Sequence, residues 1–477
     1  MTAKAMMRAN AALAVLAGLA VRLFFVFKFP ATDASDSPFY IELAWTWLKK
    51  GIYGAAANGQ IVPVDTRVPG YPAFLAAVFS IFGNSTRAVM LAQAVVDLAT
   101  CLLIALIAAR LAPEAVRRRA ALAGLWLAAL CPFTANYTAV VLTETLATFL
   151  TALAILVLLE ANRGAGPGAP EATFSGRRTF SPWFLGGVVT GFGALVRPET
   201  PLLLLAAGVV AAAKWWRPAD WRKLARMGAL MAAGLLLPLL PWAARNWSTL
   251  HEAQFLAPRY VEVPGEFVPL GFNAWTKTWL WRFGDVYFTL WNLDVAEIPI
   301  ESLPGRAFDT PGERARVAEI LETYNDTLTL SPEQDRAFRK IACERTARHP
   351  LRTYLKIPLL RSFALWFTPR VELLPYTGHV WPLRTHWQDD RIDFLATLSL
   401  VFVSGIYIAL ALAGAWLARG QPGWALLVAF ILLRTAFFAG FVETPEPRYV
   451  LECFPAVLAL AAQVFQGRRQ LSSTGSG

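Results

Sequence analysis

Ten stretches of this chain are too apolar to rest in water. The first runs from about Ala11 to Phe29. The others fall near 88–109, 120–137, 142–160, 182–196, 199–214, 227–246, 393–417, 424–441 and 449–466. A helix of roughly 20 apolar residues crosses a bilayer core. Within lipid, every backbone N–H and C=O must be satisfied internally. Runs of this kind in series constrain the chain to an all-α polytopic membrane protein with about ten transmembrane helices. Composition agrees. Of 477 residues 56% are hydrophobic and 16% charged, against about 25% charged in soluble proteins. That excludes a disordered chain, a coiled coil and most water-soluble enzymes. The first run follows Lys4 and Arg8, as a signal peptide would. It is long enough to cross, no small-residue cleavage site follows it, and it reads as the first span.

Lys and Arg number 44 and Asp and Glu 33, a formal surplus of +11. The surplus is not scattered. Arg110, Arg117, Arg118 and Arg119 follow the second span, and Arg163, Arg177 and Arg178 the fourth. Lys214, Arg217, Arg222, Lys223 and Arg226 follow the sixth, Arg419 the eighth, and Arg468 and Arg469 the tenth. All share the side of Lys4 and Arg8. By the positive-inside rule both termini are expected in the cytoplasm. The rule also accounts for the basic surplus without a nucleic-acid partner.

The opposite face receives a first outer loop at 30–87, short turns near 136–141, 197–199 and 443–448, and a long segment. The expected division is a membrane core at 1–246, a small extracytoplasmic, mainly helical domain at 247–391, C-terminal spans at 392–470 and a disordered tail at 471–477. The Gly/Ala/Pro-rich stretch Arg163–Arg178 reads as a flexible cytoplasmic loop. In the first outer loop, Pro38–Lys50 places Phe39, Ile41, Leu43, Ala44, Trp47 and Leu48 at the spacing of a helix lying along the interface. Ala73–Phe82 is apolar but too short to span, so it reads as re-entrant or interfacial. Tyr354–Phe367 is similar, although Lys356, Pro358 and Arg361 interrupt it.

Several residues could carry chemistry. Asp36 stands just beyond the first span. Its spacing suits a cap for the helix at Pro38; a base at the membrane surface is the other reading, and the residues around it favour that role. Asp33 competes with it. Glu144 begins the fourth span, as a solvated helix end or as part of a site. Arg67 precedes Pro69-Gly70-Tyr71-Pro72, and Arg448 stands at the outer end of the last span. A guanidinium there can grip phosphate oxygens bidentately or snorkel to lipid headgroups. Arg197 and Arg245 are further phosphate candidates. Arg22 and Arg434 fall inside spans, where a lipid-facing charge costs about 2.5–3.5 kcal/mol. They should face inward, toward an acid or a lipid phosphate.

The remaining signals are bland. His379 and His386 lie near Asp389 and Asp390, but their spacing matches no standard metal motif. Cys101, Cys131, Cys343 and Cys453 imply neither a disulfide framework nor a zinc ribbon. The aromatic stretch Trp275–Trp291 is a sugar-stacking wall, an interface belt or a domain core.

The run Asp36-x-x-x-Tyr40-x-Glu42-x-Ala44, followed by Arg67 and the Pro-rich re-entrant stretch, resembles the first periplasmic loop of C-type glycosyltransferases. The similar branch contains protein O-mannosyltransferases and lipid A aminoarabinose transferases. Thr143-Glu144, Arg197-Pro198-Glu199, Pro241-Trp242-x-x-Arg245-Asn246 and Glu446-x-Arg448-Tyr449 resemble further family landmarks. Together they cover most of 10–250 and 390–460. The resemblance implies transfer of one sugar from a polyprenyl-phosphate donor to an acceptor hydroxyl, with inversion. Asp36 would be the base and Glu144 its support. Arg67, Arg448, Arg197 and Arg245 would serve the donor phosphate. Tyr40, Tyr71 and Tyr449 would line the substrate site. A leaving polyprenyl phosphate needs no acid, whereas the attacking hydroxyl needs a base. Asp33 sits at the wrong spacing from Tyr40 for this pattern.

The acceptor implied is a glycolipid, glycan or protein, and the setting the periplasmic face of a bacterial inner membrane. The family includes enzymes that work without a metal, and no divalent-cation ligand set is indicated. Two other classes use similar membranes. A ligase or polymerase of polyprenyl-linked glycans would fit a site built mainly on arginines. A flippase or other transporter would need polar or broken helices at mid-bilayer.

Overall fold

The computed structural model describes residues 2–32, 34, 36–57, 59–163, 181–215, 217, 220–259 and 267–466. Asp33, the loop following Arg163 and the tail at 471–477 lie outside the described residues. The chain is almost wholly helical. Its single described sheet is a small hairpin, Gly54–Ala57 antiparallel to Gln60–Pro63.

Among the described residues, six helices are long and apolar enough to cross a membrane: Lys4–Lys28, Thr86–Leu111, Glu144–Asn162, Trp221–Leu250, Arg391–Leu417 and Pro447–Gln466. A pair bent by 50°, Glu114–Ala129 and Pro132–Ala139, makes a seventh if taken as one broken span. The other expected spans are helices too, but shorter: Pro182–Ala194, Leu202–Lys214 and Trp424–Gly440. The apolar composition runs on past the ends of the first two. Between them the chain turns through Arg197–Pro201, where two prolines remove backbone donors.

The chain divides into two compact units. The first holds residues 1–259, 369–432 and 451–477. A buried ion pair ties its helices together. Arg22 Nε donates to Asp97 Oδ2 at 2.9 Å. Its other nitrogens donate to the carbonyls of Gly18, Ala128 and Ala129 and to Cys101 Sγ. Both partners are shut from solvent. The intramembrane arginine therefore faces inward and pairs with an acid. Small residues set a second close contact. A Cβ added to Gly187 would lie 2.3 Å from Met231 O, and one on Gly234 would lie 2.2 Å from Phe184 O. The helices Pro182–Ala194 and Trp221–Leu250 thus approach at backbone distance, as small residues permit in membranes.

The second unit holds 260–368 and 433–450. Phe272, Trp275, Trp279 and Phe338 form its core with Val317, Leu321 and Tyr324. Trp275 and Trp279 are therefore core residues, while Tyr287, Phe288 and Trp291 remain exposed. Helix Pro332–Arg348 starts with a capping box at Ser331 and Gln334. Its Asp335 carboxylate accepts from the Gly271 and Phe272 N–H groups, anchoring the start of helix Leu270–Lys277. Arg345 is fully buried and bonded to Glu313, Thr278 and the Ala307 carbonyl.

Candidate active site

The first loop is folded, and its fold brings distant residues together. Helix Ser37–Lys50 starts at Asp36, carries Pro38 in its first turn and stops at Gly51 in the left-handed region. Asp36 stands at the capping position but makes no side-chain cap. Its carboxylate turns instead to Arg67, with Oδ1 3.1 Å from Nη2. The capping role considered for Asp36 is thus replaced by an ion pair across the loop.

Arg67 is held from behind. Tyr53 OH donates to its carbonyl at 2.8 Å, and its guanidinium lies over the Phe39 ring. Just after it, Gly70 N donates to Leu195 O at 2.6 Å. A Cβ on Gly70 would sit 2.5 Å from that oxygen, so only glycine allows this approach. Helix Gly70–Phe82 begins here. Its Tyr71 hydroxyl donates to Gln93, which in turn donates to the Val140 carbonyl. Ala31 N bonds to Ala139 O. These contacts draw both ends of the first loop to the turn preceding Glu144.

Glu144 and Arg197 form a second pair at 3.0 Å. Arg197 Nε also meets Glu199 at 3.0 Å and Glu452 at 3.3 Å. One guanidinium thus gathers three carboxylates from three parts of the chain. Glu452 additionally accepts from Thr151. Sequence reasoning missed Glu452. An acid inside an apolar span was the available signal, because such a residue needs a partner.

Tyr40 lies among both pairs. Its ring meets that of Tyr71 edge-on at 5.2 Å. Burial pushes its phenol well up, and the Asp36 and Glu144 charges act in the same direction while Arg67 and Arg197 oppose them. Tyr40 therefore stays a neutral donor. The two ion pairs differ in access. Asp36 and Arg67 side chains keep 28% and 22% of their exposure, whereas Glu144 keeps 2% and Arg197 10%. A reactant can reach the first pair; the second is built into the protein.

The other expected residues have partners of their own. Arg245 donates to the carbonyls of Val64 and Tyr53 and to Asn246, and its guanidinium lies over the Tyr53 and Trp242 rings. Those bonds make it a clamp on the first loop. Arg448 and Tyr449 belong to the second unit. Arg448 Nε is 2.6 Å from Glu446 Oε2, and Tyr449 OH donates to Glu446 at 2.7 Å. Arg434, also buried, donates to the Tyr449 carbonyl. Behind the first loop lies a cavity of about 450 Å³ walled by Trp47, Ile52, Tyr53, Pro238, Pro241 and Trp242. Among the described residues no group of three or more His, Cys, Asp or Glu could hold a metal ion.

Fold and site together define a polytopic helical membrane protein whose first loop presents an accessible carboxylate–guanidinium pair over a buried ionic cluster. Residues 66–242 match the profile of the family described as dolichyl-phosphate-mannose-protein mannosyltransferase. This agrees with the resemblance to C-type glycosyltransferases; the matched region contains Arg67, Tyr71, Glu144, Arg197 and Trp242, and Asp36 and Tyr40 precede it.

Solved structures similar to this chain include the archaeal oligosaccharyltransferase AglB from Archaeoglobus fulgidus in complex with an inhibitory peptide and a dolichol-phosphate. The identity is 14% and the TM-score 0.49, covering 96% of this chain and 50% of that one. The A. fulgidus oligosaccharyltransferase complex with Zn and sulfate follows at 13% identity and TM-score 0.47, covering 94% and 48%. The chain thus spans about half the length of these structures. No curated protein sequence matches it.

Proposed function

We propose that this protein is a membrane glycosyltransferase that moves a single sugar from a polyprenyl-phosphate donor to an acceptor hydroxyl. The observation that carries the reading is the accessible Asp36–Arg67 pair, beside a region that matches a family of lipid-phosphate-sugar transferases. In this reading Asp36 takes the proton from the acceptor hydroxyl as its oxygen attacks the anomeric carbon. The bond from that carbon to the phosphate oxygen breaks, and polyprenyl phosphate leaves with its charge on Arg67. Attack opposite the leaving group inverts the anomeric centre.

The resting ion pair has a role in this scheme. An arriving donor phosphate competes with Asp36 for Arg67, so the carboxylate is released as the donor is bound. Glu144, held by Arg197, supports Asp36 from within the protein, Tyr40 lines the sugar, and Tyr71, buried against Tyr40, positions that ring. Arg448 and Tyr449 are proposed as further phosphate and substrate contacts. Arg245 acts on the site by clamping the loop. The cavity behind the first loop suits the apolar donor tail. Acceptors in keeping with the family are glycolipids, glycans or proteins. The charge pattern of the loops favours cytoplasmic termini and a site on the opposite face, in this reading the periplasmic face of a bacterial inner membrane.

The test is mass spectrometry of lipids and envelope glycans from cells with and without the protein, and with the Asp36→Asn variant. One species should lose a single sugar unit in the deletion and in the variant. An unchanged glycan profile in the variant would remove Asp36 as the base. A donor that accumulates on the wrong leaflet would favour a flippase.

A further inference from the structure

In the second unit, the π-helical turn Arg352–Lys356 runs straight into helix Ile357–Trp366. The resulting rod has two faces. One is buried, with Ile357, Arg361 and Leu365 at 5%, 2% and 0% exposure. The other carries Leu351, Leu355, Leu359, Phe363 and Phe367, each at least half exposed, with Tyr354 beside them. An α-helix turns about 100° per residue, so a four-residue step overshoots a full turn by about 40°. The wider π turn rotates the other way and keeps Leu351 and Leu355 on the stripe. The Phe363 and Phe367 rings stack at 4.5 Å. A continuous apolar stripe of this kind marks an interaction surface.

We propose that this stripe is seated in the acyl-chain region of the bilayer, so that the rod is a partly inserted helix of the second unit. Its occupant is lipid, for three reasons. The buried face packs on an apolar helix: Trp366 Nε1 donates to Thr435 Oγ1 at 3.0 Å, and Leu365 shares a cluster with Phe438 and Ala439. Those partners belong to helix Trp424–Gly440, a shorter apolar helix on the expected span 424–441, which would hold one end of the rod at membrane depth. Next, the charge that would oppose insertion is turned inward. Arg361 donates to Leu280 O at 2.7 Å and Val442 O at 2.9 Å. Lastly, Lys356 is exposed beside the stripe, where its long stem can carry the ammonium to the headgroups. The proposal is independent of the chemistry assigned to Asp36.

Spin labelling of the full chain in phospholipid nanodiscs tests it. Cys343 is the exposed cysteine and the other three are buried, so Cys343→Ser provides the background. Nitroxides are attached at Leu359→Cys and Phe363→Cys, with Lys340→Cys as the water-facing control. Oxygen, which concentrates in lipid, should relax the labels at 359 and 363 several-fold more strongly than a water-soluble nickel chelate, with the order reversed at 340. Nickel access at 359 and 363 equal to that at 340 would overturn the proposal. Exclusion of both reagents would also overturn it, and spin–spin broadening would then identify a second copy as the cover. Leu355→Cys replaces either position if its labelled variant fails to elute with the unlabelled protein.

Discussion

Two aspartates 29 positions apart in one loop make opposite predictions. Asp36 is accessible and paired. Asp36→Asn should lower transfer by about 10²–10⁴-fold, the usual worth of a general base, with the thermal midpoint unchanged. Arg67→Lys keeps the charge but loses the planar fork. It should cost about 1.5–3 kcal/mol of transition-state binding, read as a roughly ten- to hundred-fold fall in kcat/KM.

Asp65 is 5% exposed, and its Oδ2 has no hydrogen-bond partner. Burial, reinforced by Glu252, pushes its carboxyl up. A folded value above the unfolded one means that the fold gains stability from this group as pH falls through the carboxylate range and loses it as pH rises. Asp65→Asn should remove that dependence and stabilise the protein by about 1 kcal/mol at neutral pH, with transfer retained. Denaturation followed from pH 4 to 8 separates the two outcomes. The sequence pattern singled out Asp36 but passed over Asp65, because desolvation depends on neighbours such as Glu252 that lie far away in the chain.

At the scale of elements, apolar runs made the helices legible, and their ends were less so. Apolar composition continues through Leu195 and Val196, past the last helical residue Ala194, whereas the turn that follows was legible from its charges and prolines. The helix at Pro38 and the short helix after Pro69 both followed from length and periodicity. What periodicity could not supply was their docking. The Gly70 contact on Leu195 O fixes where Arg67 and Arg197 stand. Gly70→Ala should force these backbones apart, at about 1–3 kcal/mol, and reduce transfer although it touches no reactant. A circular-dichroism melt alongside the transfer assay checks both effects. Arg245 teaches the complementary lesson. A guanidinium near a membrane surface invites a phosphate role, yet its bonds to Val64 and Tyr53 carbonyls are invisible in a linear motif.

For the molecule as a whole, the second unit stands on buried charge. Burial alone would raise Asp309, but bonding to Arg352 and the fields of Arg345 and Arg348 outweigh it and hold its carboxyl below the usual range. A depressed folded value gives stability that is present above the unfolded value and is lost as pH falls through the folded one. Hydrogen exchange across 309–352 should therefore accelerate as pH drops below about 4, before the apolar helices of the first unit respond.

The Arg22–Asp97 pair carries a consequence for how the chain is made. Arg22 emerges from the ribosome well before its partner, in a segment that must enter lipid. Until Asp97 arrives, that guanidinium has no acid to meet, so the first helix cannot settle at its final depth alone. Integration of the early helices must be collective, with the insertion machinery or water at the pore sheltering the cation in the interval. Nascent chains arrested before Asp97 should remain extractable by alkali, and those arrested beyond residue 130 should not.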